Sequence, residues 1–443
     1  MSTPAVRLTA ATTGVCNLPG ITPASANAVN ERLSENHRTH HIFFDTFGRH
    51  NHLVHHLLAI YDLGAPARVI NTGYTRESSY QRDLSSVTPP TSPSEADLSE
   101  PARWKGYLGN AAAYSIFLEY FTKEIEKHGY EKVVNRTLFA RTETADDMLV
   151  RFFAGFLHPF IHVGYGIEFR QPVIVAEGLA MAAIQDAWMR ELFIPAEEKA
   201  QVAAAAGDTT LEALLNKIRC DEKLRLAPRW ADGNKIKGVL ERASQEMLSY
   251  ASQYTVPVEK LQEKLAESIN AVALFTAAAQ REDKEIKMDF YYMHGHNSSL
   301  FLPVYLRQEW ISLANKVRLL EWKGRHDLAL YASRRAPELR VNDIRNYVPK
   351  ENPETNPWLN IIDRTLKVED DGHTAKFVRA CINGEKICAP YQAHEEKGFL
   401  VKGDMWIKIA QMCVDSVEAE GARWARSVGF DEAWEEYGPR KQY

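Results

Sequence analysis

The stretch NHLVHHLLAIYDLGA, residues 51–65, places apolar residues at three- and four-residue spacing and therefore predicts an α-helix. The apolar face of this helix is formed by Leu53, Leu57 and Ile60. His52 and His56 lie on the edge of that face, and His55 lies nearly opposite. We expect His52 and His56 to reach a buried metal and His55 to point away from it. The alternative is that all three are surface histidines or core histidines with satisfied hydrogen bonds.

Helical patterns of the same kind continue along the chain. They occupy residues 49–63, 108–129, 172–193, 233–250, 257–280, 300–330, 372–383 and 400–425. Alternating patterns typical of strands are few. The sequence predicts a mainly α fold, with residues 21–443 forming a single large helical-bundle-like catalytic domain after a flexible N-terminal segment, residues 1–20. A segment rich in proline and serine, Asp83 to Arg103, is predicted to be a long loop or lid.

Composition restricts the class of protein. The chain has 443 residues, 45% hydrophobic and 25% charged, so it can bury a large core. Its net charge of -5 gives no sign of nucleic-acid or membrane binding. The five cysteines are scattered, which argues against a disulfide framework. The N-terminus lacks the apolar core of a signal peptide and no stretch is long enough to span a membrane, so we expect a cytoplasmic protein.

Eight of the fifteen histidines fall into four clusters spread over more than three hundred residues. Besides the first, the clusters are HPFIH at 158–162, HGHN at 294–297 and HTAK at 373–376. Imidazole is a common ligand of transition metals, and enzymes assemble such sites from distant segments. Pro159 disfavours an α conformation at His158 and predicts that a helix begins or breaks there. The alternative is that each cluster only packs in the core.

The cluster at 373–376 also places a lysine where the core should be. His373 and Lys376 lie on one side of a predicted helix, the side that carries Phe377 and Ala380. Burial lowers the pKa of a lysine, and the neutral amine can then act as a base or react with carbon dioxide to give a carbamate. The alternative is a lysine that extends to solvent and pairs with an acidic neighbour.

Four segments carry a resemblance that covers most of the chain. The segments 51–65, 156–169 (FLHPFIHVGYGIEF), 293–297 (MHGHN) and 371–380 (DGHTAKFVRA) resemble the questin oxidase-like family, in the family's order. The resemblance implies an enzyme of fungal secondary metabolism that uses O2 to cleave a carbon–carbon bond in the central ring of an anthraquinone-type polyketide. An alternative that it also implies is an NADPH-linked Baeyer–Villiger-type monooxygenase acting on a polyketide ketone.

The resemblance further implies a non-haem Fe(II) site of four histidines and a carboxylated lysine. The ligands carried over by motif are His52, His158, His294, His373 and Lys376. The remaining clustered histidines are candidates for acid–base catalysis or for a supporting role near the metal: His56, His162 and His296. The candidates for an aromatic substrate pocket are Phe156, Phe160 and Tyr165.

Other classes of protein fit the sequence less well. A flavin enzyme needs a dinucleotide-binding glycine turn, which Gly164 and Gly166 do not complete. NADPH could still serve to reduce the substrate or the iron. A zinc hydrolase usually has three protein ligands and an open water position, fewer ligands than are available here. A metal-free helical interaction protein leaves the inward lysine and the clustered histidines unexplained.

Overall fold

The structure, a computed structural model, describes residues 5–89, 98, 101–202, 209–351 and 356–440. Within these ranges β-structure is limited to isolated bridges, such as Phe43 with His50, and helices pack on helices. The predicted mainly α fold is confirmed. Part of the predicted proline- and serine-rich loop, residues 90–97 and 99–100, lies outside the described residues.

The chain divides into two compact units. Unit 1 consists of residues 1–188, 304–311 and 369–376, and unit 2 consists of 189–303, 312–368 and 377–443. The expectation of one catalytic domain stays a prediction.

Unit 1 is built from eight helices in the described part of its chain. They are α1 (Pro23–Thr39), α2 (Leu53–Asp62), α3 (Ala67–Ser78), α4 (Tyr114–His128), α5 (Tyr130–Leu138), α6 (Glu143–Phe152), α7 (His158–Glu168) and α8 (Pro172–Ala183). Segment 5–20 is tied to α1, because the backbone amides of Val6 and Leu8 donate to Ser34 and Asn30. The predicted flexibility of residues 1–20 concerns motion in solution and stays a prediction.

Unit 2 contains most of the remaining helices. They are α9 (Arg190–Val202), α10 (Leu211–Cys220), α11 (Glu222–Leu226), α12 (Lys235–Ala251), α13 (Leu261–Ala278), α14 (Phe290–Ser299), α16 (Leu313–Ala332), α17 (Val341–Arg345), α18 (Pro357–Thr365) and α20 (Met405–Glu418). Two further helices have residues in both units: α15 (Leu302–Leu306) and α19 (His373–Cys388). The patterns at 172–193 and 300–330, each read as one run, are interrupted by turns and form separate helices.

Two glycines allow α7 and α8 to pack closely, and this contact positions part of the site. A Cβ added at Gly166 would lie 2.7 Å from the backbone nitrogen of Val175, and one at Gly178 would lie 2.8 Å from that of Val163. Any other residue at either position would push the helices apart. Gly166, which does not complete a dinucleotide-binding turn, thus serves the packing of α7 on α8.

Among the described residues, the helices are too short or too polar to cross a bilayer. The cytoplasmic location inferred from the sequence stays a prediction.

Candidate metal centre

Helix α2 is buried on every side, and this changes the interpretation of His55. All ten of its residues are buried, and His55 itself is 0% exposed. The prediction that His55 points away from the site is wrong, because a helix inside the core has no outward face. His55 instead forms a group with His52 and His158 in which one nitrogen from each ring lies within 4.8 Å of the others. Neither ring nitrogen of His55 has a hydrogen-bond partner among the described residues.

His158 enters the site from an unusual turn. Three consecutive residues, Gly155, Phe156 and Leu157, have φ angles of 55°, 55° and 67°, in the left-handed region. The helix α7 then begins at His158, as predicted, with Pro159 in its first turn. The expected non-helical conformation of His158 is wrong: its φ and ψ are -60° and -42°, and the strained backbone lies in the residues before it. The Nδ1 of His158 donates to the carbonyl oxygen of Gly155 at 2.5 Å.

Three predicted ligands of unit 1 converge through His52, which lies beside both His158 and His373. The Nε2 atoms of His52 and His158 are 2.7 Å apart, and the rings of His52 and His373 have centroids 4.8 Å apart. Two nitrogens bound side by side to one metal at ordinary metal–nitrogen distances lie about 3 Å apart. The buried Nε2 atoms of His52 and His158 are therefore at about the separation expected for two ligands of one metal ion.

Asp371 connects two of these rings from behind. Its Oδ2 lies 2.8 Å from Nδ1 of His52, and its Oδ1 accepts from Nδ1 of His373 at 2.7 Å. Its own φ is 50°, so the backbone is held in the left-handed region to present the carboxylate. A carboxylate on Nδ1 fixes the ring tautomer and leaves Nε2 to bind a metal. The sequence reasoning missed Asp371, although a carboxylate two residues before His373 was a usable signal.

Burial dominates the electrostatics of this group. It lowers the pKa of His52 to about 4 and the pKa of His55 well below its usual value, so both rings are neutral at pH 7. Neutral imidazole is the form that binds metals. Although burial opposes its ionisation, the contacts with His373 and His52 hold the pKa of the Asp371 carboxyl well below its usual range. Asp371 is therefore anionic and can accept from the Nδ1 atoms of both His52 and His373.

Lys376 is buried beside these groups, one helical turn after His373. It is 1% exposed, and burial lowers its pKa to about 8. The predicted inward position of this lysine is therefore confirmed. With that pKa, Lys376 carries a neutral amine in about a tenth of the protein molecules at pH 7. The neutral amine is the form that reacts with carbon dioxide.

Glu177, His37 and His162 form a second polar group near the converging histidines. The carboxylate of Glu177 on α8 accepts from Nδ1 of His37 at 2.7 Å and from Nε2 of His162 at 2.9 Å. Although burial opposes its ionisation, the hydrogen bonds from His162 and His37 lower the pKa of Glu177 to about 2. The ring of His162 lies 5.1 Å from that of His55, so this triad adjoins the converging histidines. Sequence reasoning found His162 but not Glu177, fifteen residues later.

Two other histidines flank the group. His50 stacks on His158 with ring centroids 4.1 Å apart and accepts at Nε2 from the side-chain amide of Gln185. His56, a predicted acid–base residue, has Nδ1 2.5 Å from Oε1 of Glu77. His50 was missed, although it directly precedes the first cluster. Gln185 thus orients the ring of His50, and Glu77 orients the ring of His56.

His294 and His296 belong to unit 2. The Nδ1 of His294 donates to the carbonyl oxygen of Phe290 at 2.7 Å. His296 is fully buried, its Nε2 lies 3.4 Å from Sγ of Cys381, and burial lowers its pKa to about 3. His294 as a fourth ligand and His296 as an acid–base residue stay predictions.

The predicted substrate aromatics lie in three different surroundings. Phe160 is fully buried among Phe152, Phe153 and Tyr305. Tyr165 is also buried and stacks on His55 with ring centroids 5.5 Å apart. Phe156, in the turn that precedes His158, is 40% exposed. Their roles in substrate binding stay predictions.

Comparison with known proteins agrees with the resemblance. The family model described as questin oxidase-like matches residues 49–381. A Baeyer-Villiger oxidase of Pestalotiopsis fici is 38% identical over 93% of both chains, and a Baeyer-Villiger monooxygenase of a Cryptosporiopsis species is 38% identical over 95% of this chain and 96% of its own. A questin oxidase of Aspergillus fumigatus is 36% identical over 95% of this chain and 96% of its own. The chain therefore belongs to the questin oxidase-like family and is an oxidoreductase.

Proposed function

We propose that this enzyme is a non-haem iron-dependent oxygenase that cleaves a carbon–carbon bond in the central ring of an anthraquinone-type polyketide. The observation that carries the proposal is the convergence of His52, His158 and His373 in unit 1, with Asp371 on the Nδ1 atoms of two of them. The questin oxidase relative and the family match support the class of substrate and reaction.

The residues present fit an iron ion. Each of the three rings has its Nδ1 engaged, by Asp371 or by the carbonyl of Gly155, so each can offer Nε2. When bound, iron supplies a one-electron route by which dioxygen reacts with a closed-shell aromatic molecule. His55 is a further nitrogen donor within reach of His52 and His158.

Lys376 is proposed to complete the site as a carbamate. Its amine adds to carbon dioxide and loses a proton, which forms a nitrogen–carbon bond and an anionic oxygen ligand. The lowered pKa of Lys376 and its position one turn after His373 support this role. The fourth histidine ligand is proposed to be His294, from the family motif.

The other residues bind, orient or carry protons. Glu177 holds His162 by a hydrogen bond, so a proton can be kept at, or released from, a fixed ring beside His55. Phe156, in the turn that precedes His158, offers a partly exposed aromatic ring to a flat substrate. Asp371 has 27% of its side chain exposed, so water can reach this carboxylate.

Metal content tests the proposal directly. Protein reconstituted with Fe(II) without oxygen should hold about one iron per chain. His158→Ala and His373→Ala should lose both iron and activity, whereas His394→Ala, at an exposed histidine, should keep both. A chain that carries zinc and is active without iron would instead support the zinc hydrolase. Activity of the parent should depend on bicarbonate, and this dependence should be lost in Lys376→Ala. Full activity of Lys376→Ala would mean that Lys376 is not a metal ligand.

The second candidate function is an NADPH-linked Baeyer–Villiger-type monooxygenase, which the names of two relatives favour. Labelled dioxygen separates the two candidates. Iron-dependent ring cleavage that places two labelled atoms in the product is expected for the dioxygenase. One labelled atom with one NADPH oxidised would favour the monooxygenase.

A further inference from the structure

Unit 2 contains a cavity of about 380 Å³ with strongly basic walls. Its lining includes five arginines: Arg219, Arg225, Arg281, Arg335 and Arg340. Two glutamates, Glu282 and Glu338, are the acidic side chains of the same lining. Because the whole chain has a net charge of -5, this concentration of guanidinium groups is a local feature.

Part of this positive charge is not balanced by the protein. Arg281 pairs with Asp431 at 2.6 Å, and Arg340 pairs with Asp343 at 3.1 Å. In the part of the chain that the structure describes, no carboxylate lies at ion-pair distance from Arg219, Arg225 or Arg335. Three guanidinium groups are thus left for an external anion.

Arg335 is held ready for such an anion. Its guanidinium carbon lies 4.2 Å from the ring centroid of Phe430, and its buried Nε has no hydrogen-bond partner among the described residues. A guanidinium stacked on an aromatic ring keeps its edge of N–H groups available. Arg335 and Ala336 have φ angles of 60° and 41°, and such strain in residues other than glycine often accompanies ligand sites.

The lining also contains apolar residues and a close backbone contact beside Arg335. A Cβ added at Gly429 would lie 1.8 Å from the carbonyl oxygen of Arg334, so this backbone contact requires glycine. Leu226, 57% exposed, and Pro337 add apolar surface to the lining. The cavity therefore offers guanidinium groups for an anion and an apolar wall for an organic group.

We propose that this cavity binds a small organic phosphate. Two N–H groups of a guanidinium can bind two phosphate oxygens at once. A phosphomonoester dianion offers three such oxygens, which is more than a single carboxylate offers. The volume lies near the lower end of the range for small-molecule sites, about 300–1,000 Å³. This goes beyond the proposed oxygenase function, because every lining residue belongs to unit 2 and none is among the converging histidines.

Calorimetric titration of the iron-loaded protein with phenyl phosphate tests the proposal. We expect one site per chain with a Kd below about 1 mM, weakened as salt is added. Benzoate, which has the same ring and a single carboxylate, should bind at least about tenfold more weakly. Absence of saturable binding, or equal affinity for benzoate, would overturn the proposal.

Variants locate the binding. Arg335→Gln and Arg225→Gln should each weaken phenyl phosphate binding, the first by about tenfold or more, while the melting temperature shows that each variant is folded. The exposed Arg225 gives the test that least disturbs the core. Arg229→Gln, an exposed arginine outside the lining, is the matched control and should bind as the parent does. Unchanged affinity in both Arg335→Gln and Arg225→Gln would place the phosphate elsewhere and refute the assignment.

Discussion

Asp371 and Glu177 do similar work on different histidines. Each is a carboxylate whose two oxygens contact two imidazoles, His52 and His373 in one case and His37 and His162 in the other. A carboxylate placed in this way costs desolvation, and the paired rings offset that cost. Asp371 lies only two residues before His373, but its contact with His52 and the contacts of Glu177 join distant segments, which local sequence patterns do not show.

Asp371→Asn should loosen the metal while the fold persists. An amide cannot accept from two Nδ1–H groups as an anionic carboxylate does, so His52 and His373 lose their common orientation. We expect iron affinity and kcat/KM to fall by about 10–100-fold, measured by chelator competition and steady-state kinetics. Glu369→Gln, an exposed site two residues earlier, is the control and should change neither. Parent-like iron affinity in Asp371→Asn would contradict an orienting role.

Glu177→Gln should destabilise the protein in a way that depends on pH. The pKa of Glu177 is lowered to about 2 in the folded protein, so its stabilising effect is present above the unfolded value near 4.5 and is lost as the pH falls toward 2. The shift corresponds to about 3 kcal/mol. Urea unfolding should therefore show a larger difference between parent and variant at pH 7 than at pH 3. An equal difference at both values would mean that the carboxylate is not ionised in the fold.

At the scale of elements, the turn before α7 shows how backbone shape positions a ligand. A Cβ added at Gly155 would meet Oε1 of Gln185 at 2.6 Å and Cε1 of His50 at 2.9 Å. His50 stacks on His158, so a displacement at residue 155 passes directly to the proposed ligand. Glycine is also favoured there because its φ is 55°.

Gly155→Ala should cost stability and iron together. We expect a loss of about 1–3 kcal/mol in unfolding free energy and weaker iron binding, because both the backbone angle and the clash oppose the native turn. Gly403→Ala is a matched control: its φ is 54° and a Cβ there meets nothing within 4 Å. The control reports the cost of the backbone angle alone. If the two variants lose the same stability and both keep iron, the turn does not position His158.

The elements also show where sequence reasoning succeeds. Pro159 predicts the start of α7 because proline fits the first turn of a helix. In the structure α7 begins at His158, as predicted. The face assigned to α2 failed for His55 because periodicity identifies a buried side only when the opposite side meets solvent. His50, just before α2, was missed because its role depends on stacking against a ring more than a hundred residues away.

For the whole molecule, the mainly α class follows from the spacing of apolar residues, and His52 lies beside two of the other motif histidines predicted as ligands, His158 and His373, in unit 1. Single-sequence patterns identify the chemistry of a side chain but not the distance between segments. The contact between Glu177 and His162, and the division of the chain into two units, depend on such distances.

Metal removal should weaken the whole fold, because the proposed ligands of unit 1 come from residues 52, 158 and 373, which are far apart in sequence. An ion that binds only the folded chain stabilises it by RT ln(1 + [L]/Kd), about 4 kcal/mol when the free ion exceeds the Kd a thousandfold. Calorimetry should show a lower melting temperature after chelation and recovery when Fe(II) is restored. In His158→Ala the melting temperature should not respond to Fe(II), whereas His394→Ala should respond as the parent does. A response to Fe(II) that is equal in His158→Ala and in the parent would mean that the ion binds elsewhere, because removing a true ligand must remove the coupling between binding and folding.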